Sequence, residues 1–590
     1  MKSVQINNKN ILIDGVPTQI ISAGMHYFRI HPELWKDRID KAVALGVNTI
    51  ETYIAWNIHE PKRGKFNFSG IADLERFIEL VQEHDLYLIL RPGPFICAEW
   101  DNGGFPAWLN AVPGVKLRQM NKPYLKAVRD YYNVLLPKIH DRLYTNGGPI
   151  ILVSLENEYG SFGHDKEYLR YLLDVYKKHD IDVPIFTNDG PCNHHLIGGT
   201  LPETMITMDF GSKSEKAWKN LEYWRPGAPN FCMEFWTGWF DHWGEKHHTR
   251  AAGAEKSAEY ELEEMLKVGA NLNLYMFHGG TNFGFTNGAN GQFFSDYKPT
   301  VTSYDYDSLL SECGDPTEKF YACQSVIKKY IDNPHIAPIK PTKKIAPAPI
   351  KMDSSARLFD NLEQLSSLSG RAKNAPTMEE LSQNFGFIHY RKRLEGPLSS
   401  TLLRLYNVND YAQVWLDGCY LGSRMRDDGQ NPFTIDVDCE GAVLDVLVEN
   451  CGRINYGPFV GKDFKGITHA ITVEYQQQLD WEYHSLPLEN PDGLKFGSFE
   501  NTSGMVRFHH AQFQLEDIGD TFLRRPGIKG SVWINGFHLG RYWNIGPTQT
   551  LYVPSPVLRK GVNTIIVMEQ EALDTDTLIF QKNSDLGPTE

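Results

Sequence analysis

Strand and helix patterns alternate through the first 330 residues, a Pro-rich stretch then interrupts them, and the remainder is strand-like and repeats itself. Together these observations predict a multidomain α/β plus all-β protein: an N-terminal TIM-type (β/α)8 barrel followed by two β-sandwich domains of jelly-roll type. A chain of 590 residues has room for two or three such domains. With 41% hydrophobic and 22% charged residues it is neither disordered nor fibrous, and it can bury large cores.

Eight candidate strands follow one another at Gln19–Ala23, Val47–Tyr53, Leu86–Arg91, Ile150–Glu158, Ile185–Asn188, Ile206–Phe210, Asn230–Phe235 and Asn273–Phe277. Helical periodicity fills the gaps and is clearest at Trp35–Leu45. There Trp35, Ile39, Ala42 and Val43 share a face, and Gly46 follows as a C-terminal cap. Strand alternating with helix implies parallel pairing through right-handed crossovers, and eight such units close a barrel. A doubly wound open sheet is the alternative, but no GxGxxG follows the first strand.

The barrel is assigned to residues 1–331. Asp332–Met352 carries Pro334, Pro338, Pro341, Pro347 and Pro349 without an apolar period and reads as an extended linker. Residues 353–480 and 481–590 are assigned to the first and second sandwich, the second open to strands from just after the linker. Val414-Trp415-Leu416-Asp417-Gly418 recurs as Val532-Trp533-Ile534-Asn535-Gly536. Asx-Gly is a two-residue hairpin turn in which both residues take positive φ.

Composition removes several functions. Lys and Arg number 59 against 73 Asp and Glu, a net charge of −14 with no basic run, which argues against nucleic acid or an anionic membrane as partner. No apolar run approaches the roughly 18 residues of a membrane span. The N-terminus lacks the apolar stretch of a secretion signal, so the expected location is cytoplasmic. The eight cysteines show neither a CxxC pair nor zinc-ligand spacing, and free thiols are expected. His194-His195, His247-His248 and His509-His510 lack i,i+4 pairing with a third ligand. They read as solvated loop histidines, and neither metal nor cofactor is expected.

Aromatic residues make up 12% of the chain, a content that serves either dense cores or a surface that stacks on sugars. Many stand beside carboxylates at the ends of candidate strands, where barrel enzymes place their sites. The third strand runs into Arg91-Pro92-Gly93-Pro94-Phe95-Ile96-Cys97-Ala98-Glu99-Trp100, the fourth into Glu156-Asn157-Glu158-Tyr159, and the seventh into Glu234-Phe235-Trp236-Thr237-Gly238-Trp239. The plain explanation is that these acids pair with Arg91 or with nearby Lys and His. The catalytic one is a carboxyl pair acting on a glycosidic bond, one as nucleophile and the other, its pKa raised, as acid and then base. On an extended strand Ser154, Glu156 and Glu158 point the same way, so periodicity does not choose between the two glutamates.

Gly147-Gly148-Pro149-Ile150-Ile151-Leu152 running into Glu156-Asn157-Glu158-Tyr159 resembles the signature of glycoside hydrolase family 35, the retaining β-galactosidases. Thr52-Tyr53-Ile54-Ala55-Trp56-Asn57, Arg91-Pro92-Gly93-Pro94, Leu274-Tyr275-Met276-Phe277 and Thr302-Ser303-Tyr304-Asp305-Tyr306-Asp307 support it. The resemblance covers almost the whole chain, because the Val-Trp-x-Asx-Gly repeats resemble the family's galactose-binding-like β-domains. It implies Glu158 as acid/base, Glu234 as nucleophile and Asn157 on the sugar 2-hydroxyl. It further implies Tyr53, the Cys97-Ala98-Glu99 corner, Tyr304 and Tyr306 on galactose hydroxyls, and Tyr275 beside the nucleophile. Ser154 stands where the family usually has Gln, a change that bears on support of the acid.

Trp236, Trp239 and Trp243 either wall the acceptor side or pack their loop onto the barrel. Tyr456, in Gly452-Arg453-Ile454-Asn455-Tyr456-Gly457, either reaches over the barrel mouth or lies on a free surface loop. The expected function is an exo-acting retaining β-galactosidase for small galactosyl oligosaccharides, with a β-1,3 preference and with a homodimer among the assemblies left open. The alternatives are the same fold and mechanism on another sugar such as β-glucosamine, or a non-catalytic carbohydrate-binding protein on a retired barrel.

Overall fold

Eight short runs, each buried almost throughout, form the parallel strands of a closed barrel: β1 (Ile21–Met25), β2 (Thr49–Tyr53), β3 (Tyr87–Arg91), β4 (Ile150–Ser154), β5 (Ile185–Asp189), β6 (Met205–Phe210), β7 (Phe231–Trp236) and β8 (Asn271–His278). In this computed structural model, residues 2–250, 257–291, 296–426, 428 and 431–589 are described. The strands read as continuous rather than alternating hydrophobic runs because helices cover one face and the barrel core the other. All eight expected strands are present. The helix Trp35–Leu45 is also as predicted: Trp35, Ile39, Ala42 and Leu45 are buried, and Gly46 ends it at φ 104° with its N–H on the Val43 carbonyl.

One strand end differs in a way that matters for the site. The expected strand Ile150–Glu158 stops at Ser154. Glu156 and Glu158 take φ 65° and 42°, left-handed values that extended chain does not contain, so the common orientation of Ser154, Glu156 and Glu158 is lost.

The Pro-rich stretch is pinned rather than free. Ile336 and Ile339 pack on the barrel, Lys344 pairs with Asp315, and Ile350–Lys351 already pairs antiparallel with Thr577–Leu578. Sheet pairing fills in one domain limit and moves another. Ser354–Arg357 pairs with Arg507–Leu515, which places it in the second sandwich, the option left open for strands just after the linker. Trp481–Leu486 lies between Leu368–Ala372 and Phe387–Leu394 in the first, with Trp481 in that sandwich's core.

Each sandwich is antiparallel throughout. The first joins a six-stranded sheet to a four-stranded one through a shared core that includes Tyr390, Val446, Leu403 and Ile471. The second joins six strands to three around Phe513, Val567, Leu523 and Leu551. The repeated motif is the same hairpin twice: Tyr411–Leu416 turns into Cys419–Met425 through Asp417-Gly418 at φ 47° and 75°, and Lys529–Ile534 into Phe537–Trp543 through Asn535-Gly536 at φ 51° and 84°. Both copies carry a register shift at the Val-Trp step. Trp415 and Trp533 are buried in one cluster with Phe387, Phe508 and the barrel-loop residue Phe285. The two tryptophans therefore join domains rather than face a sugar.

Candidate active site

The C-terminal ends of the barrel strands open into a cavity of about 330 Å³. Tyr53 ends β2, Cys97, Ala98 and Glu99 follow β3, Asn157 and Glu158 follow β4, Glu234 and Trp236 lie in β7, and Tyr275 lies in β8. Together with Trp239, Tyr306 and Tyr456, these residues line the cavity. Tyr304 stands behind the wall and donates its hydroxyl to Glu99 Oε2. The Cys97–Glu99 corner is three successive residues at φ 56°, 55° and 49°. Left-handed backbone at non-glycine residues costs about 1–3 kcal/mol each, so surroundings must hold it. Arg29 Nη2 on the Ala98 carbonyl, the Gly288 N–H on the Glu99 carbonyl at 2.8 Å and Asn455 Nδ2 on Cys97 Sγ at 3.5 Å do so. Burial pushes the Glu99 carboxyl up to about 7 against the opposing pull of Tyr304 and Arg29.

Three glutamates converge here in unlike surroundings. Glu234 Oε1 accepts from the Tyr53 hydroxyl at 2.7 Å and pairs with Arg91 Nη2 at 2.8 Å, while Trp236 Nε1 donates to Oε2 at 3.3 Å. Glu156 is turned away into the protein, where Arg118 reaches both its oxygens at 3.1 and 2.8 Å and the Tyr168 hydroxyl donates at 2.8 Å. Glu158 keeps some surface toward the cavity, and among the described residues its carboxyl has no hydrogen-bond or ionic partner. It is pushed up to about 8, first by burial and then by the charges of Glu234 and Asp189, with Arg91 pulling the other way.

Asn157 ties the two sides together. Its Oδ1 accepts from Arg91 Nη2 at 2.5 Å and from Asn188 Nδ2 at 3.0 Å, and lies 2.7 Å from the Tyr53 hydroxyl, whose single proton it shares with Glu234. These donors on one oxygen fix the amide so that Nδ2, a donor, is left for the cavity. Asn188 Nδ2 also donates to Asp209 Oδ2 at 2.7 Å. Asp209 is the cross-strand neighbour of Glu234, and burial followed by the charges of Glu234 and Glu158 holds its carboxyl well above the usual range. Arg91 completes the floor, with its guanidinium 4.0 Å from the Tyr53 ring centroid.

A buried carboxyl pair with opposite furnishings at a barrel mouth is the arrangement of a glycosidase. Residues 10–330, more than half of the chain, match the family model described as Glycosyl hydrolases family 35. The chain belongs to glycosyl hydrolase family 35. It is a glycoside hydrolase, and the matches extend past the barrel: residues 376–487 match the β-galactosidase first all-β domain and 506–563 the β-galactosidase galactose-binding domain. Among curated proteins, the chain is 41% identical to "Beta-galactosidase 17" of Arabidopsis thaliana, covering 96% of this chain and 87% of that one. It is 39% identical to "Beta-galactosidase" of Xanthomonas manihotis, covering 92% and 89%, and 40% identical to that of Homo sapiens, covering 97% and 87%.

In this family 35 enzyme the first sandwich completes the site. Arg453 is buried between Asp101 and Glu379, with Nη1 3.0 Å from Asp101 Oδ2 and Nε 2.6 Å from Glu379 Oε1. Its carbonyl accepts the Ala289 N–H at 3.0 Å, and the Asn455 N–H returns to the Ala289 carbonyl at 2.9 Å. This clamp brings Tyr456 to the rim. In the same lining Trp236 and Trp239 meet edge to face at 5.6 Å, and Trp239 stacks on Phe240 at 4.9 Å. Trp243 is not part of the wall; it packs against Trp543 of the second sandwich at 6.2 Å.

Phe240 and Asn290 also line the cavity and carry no sequence signal, since Phe240 sits in a loop and Asn290 in a two-residue strand, neither with a periodic pattern. Arg118 was equally hidden, 38 residues before the glutamate it binds. Ser154 Oγ is buried without a partner, so the hydroxyl gives Glu158 no support. The histidines are not all solvated: His247 is buried with Nδ1 2.7 Å from Asp241, His248 reaches the same carboxylate at 3.0 Å, and His509 is buried, because loops of the barrel mouth and sandwich strands fold over them. All eight cysteines are free thiols.

Proposed function

We propose that this family 35 enzyme is an exo-acting, retaining β-galactosidase that removes terminal galactose from the non-reducing end of small galactosyl oligosaccharides. The observation that carries the reading is the contrast between two cavity carboxyls: Glu234 under the Tyr53, Arg91 and Trp236 donors, Glu158 with none among the described residues. Glu158, protonated near neutral pH, donates its proton to the glycosidic oxygen as the bond to the anomeric carbon breaks. Glu234 attacks that carbon from the opposite face and forms the glycosyl-enzyme ester. Glu158, now a carboxylate, takes a proton from water, whose oxygen displaces Glu234 and restores both groups. Asn157 Nδ2 is oriented to hold the 2-hydroxyl, a bond that strengthens as the oxocarbenium-like transition state forms. Tyr53, the Cys97–Glu99 corner, Tyr275 and Tyr306 line the galactose end.

A cavity of about 330 Å³ is at the small end of ligand pockets, which run to about 1,000 Å³, and supports single-residue removal rather than cleavage within a polymer. Trp239 and Tyr456 both line the cavity and are partly exposed, so aromatic faces border the acceptor side, which supports preference for β-1,3 over β-1,4 and β-1,6 linkages. Initial rates on the three linkage isomers of galactosyl-N-acetylglucosamine test it, with the β-1,3 isomer expected fastest. Equal rates, or comparable activity on a long galactan, overturn the preference.

A further inference from the structure

Outside the cavity, the loop that follows β5 carries three side chains that the proposed chemistry does not use. Cys192, His194 and His195 flank the start of the short helix Asn193–Gly199, and their ligand atoms all lie within 4.8 Å of one another. The Cys192 thiol is free, 3.8 Å from His194 Nε2, and although it occupies the helix N-cap its side chain caps nothing. His195 Nδ1 is a buried nitrogen without a hydrogen-bond partner, while His194 is exposed and gives solvent access. The two imidazole rings meet edge to face with centroids 4.3 Å apart.

One thiol and two imidazoles are the donor set of a thiophilic cation. Hard ions such as calcium and magnesium take oxygen, whereas zinc takes Cys and His, and three protein ligands leave a fourth position for water. Metal–sulfur and metal–nitrogen distances of about 2.3 and 2.0 Å place tetrahedral donors about 3.5 Å apart. The observed spread is therefore closed by side-chain rotation of about an ångström. The sequence pattern Cys-x-His-His hides the site, because the ligands come from the N-cap and first turn of one short helix rather than from the i,i+4 spacing of a helix face.

We propose that Cys192, His194 and His195 form a binding site for a zinc-class cation on the loop after β5. The loop packs against the segment that carries Glu158: a Cβ at Gly160 would meet the His195 carbonyl at 1.8 Å, and Gly160 donates its N–H to Asp189 Oδ1 at 2.7 Å. The cation therefore binds beside the active-site loop without touching the cavity, and binding to the folded state alone raises thermal stability.

Cobalt added to the full-length protein tests this, because a cysteine ligand gives a thiolate-to-cobalt charge-transfer absorption that nitrogen and oxygen ligands do not. One equivalent is expected, displaced by zinc, with the absorption lost in Cys192→Ser and retained when the exposed Cys419 and Cys439 are both changed to Ser. His194→Gln, at an exposed position, should weaken zinc by at least the roughly 10–100-fold that loss of an outer-shell partner costs. Zinc should raise Tm in the wild type but not in Cys192→Ser. No absorption, absorption that survives Cys192→Ser, or unchanged zinc affinity in His194→Gln overturns the site.

Discussion

The ends of β4 and β7 each offer a glutamate to the same cavity, and they are furnished in opposite ways. Near the end of β7, Glu234 is gripped by Tyr53, Arg91 and Trp236. Beyond β4, Glu158 has no such partner and is pushed up to about 8. Two residues earlier Glu156, the same residue type in the same motif, is consumed by Arg118 and Tyr168. On the proposed reading, the set of donors around each carboxyl, not its place in the motif, assigns its work. A gripped anion facing a cavity suits attack, an ungripped acid suits proton donation, and a gripped anion facing inward is structural.

Removing the gripped anion should have the largest effect. Glu234→Gln is expected to lower kcat/KM on the order of 10⁵-fold, since a nucleophile acts as a unit with its partners. A 2-fluoro galactoside should label Glu234 in the wild type. Label on any other residue would end its assignment as nucleophile. Glu158→Gln should cost about 10²–10⁴-fold on substrates with poor leaving groups and little on activated aryl galactosides, which depart without a proton. Equal loss on both would remove the distinction between the two strand ends.

The pH profile sharpens the same contrast. Glu158 must carry its proton to act as acid, so kcat/KM should hold below the folded pKa of about 8 and fall as pH rises through it. Glu234 contributes to that elevation. In Glu234→Gln the neighbouring charge is gone and the Glu158 pKa should move down, yet stay above the ordinary 4.5 because burial remains. Carboxyl titration by NMR in that variant reads the shift, and an unchanged or higher value would show that the two strand ends do not communicate.

Glu156 supplies the control. Glu156→Gln leaves the buried Arg118 guanidinium without its counter-charge, and breaking such a pair costs about 3–5 kcal/mol. Arg118 also lies 3.8 Å from the Phe95 ring centroid, so the loss reaches the Cys97–Glu99 corner through packing. The denaturation midpoint should fall while activity per folded molecule changes less than in Glu158→Gln. Stability unchanged and activity abolished would reverse the two glutamates.

The eight barrel strands and the helix Trp35–Leu45 are legible in the sequence because local apolar runs and periodicity specify them. The Asx-Gly hairpins are legible because few other residue pairs accept positive φ at both positions. The distinction between Glu156 and Glu158 is not, since it arises from left-handed backbone at 156 and 158 and from an arginine on a distant loop. The placement of Trp481–Leu486 in the first sandwich is hidden for the same reason: its partner strands Leu368–Ala372 and Phe387–Leu394 are about 100 residues away, and no local pattern records that pairing. Tyr304 shows the limit of motif transfer. It belongs to the motif of Tyr306, yet it braces Glu99 from behind while Tyr306 lines the cavity.

The smallest expected effect tests whether the rim belongs to the site or only borders it. Tyr456 comes from a different domain than Glu158 and Glu234; it is 38% exposed, and its hydroxyl meets Ser161, just after Glu158, across the domain boundary. Its ring faces the acceptor side, where an aryl leaving group and a second sugar differ most in size and in hydroxyls. Tyr456→Ala should therefore raise KM for galactosyl disaccharides a few-fold, in line with about 1 kcal/mol for one partly exposed aromatic contact. Activity on nitrophenyl galactoside should change less, because the galactose end and the carboxyl pair are untouched. Equal effects on both substrates would mean that the loop acts through Asn455 on Cys97 and the galactose corner rather than through the ring at the rim. Asn455→Ala separates these routes, since it removes the bond to Cys97 and leaves the aromatic rim in place.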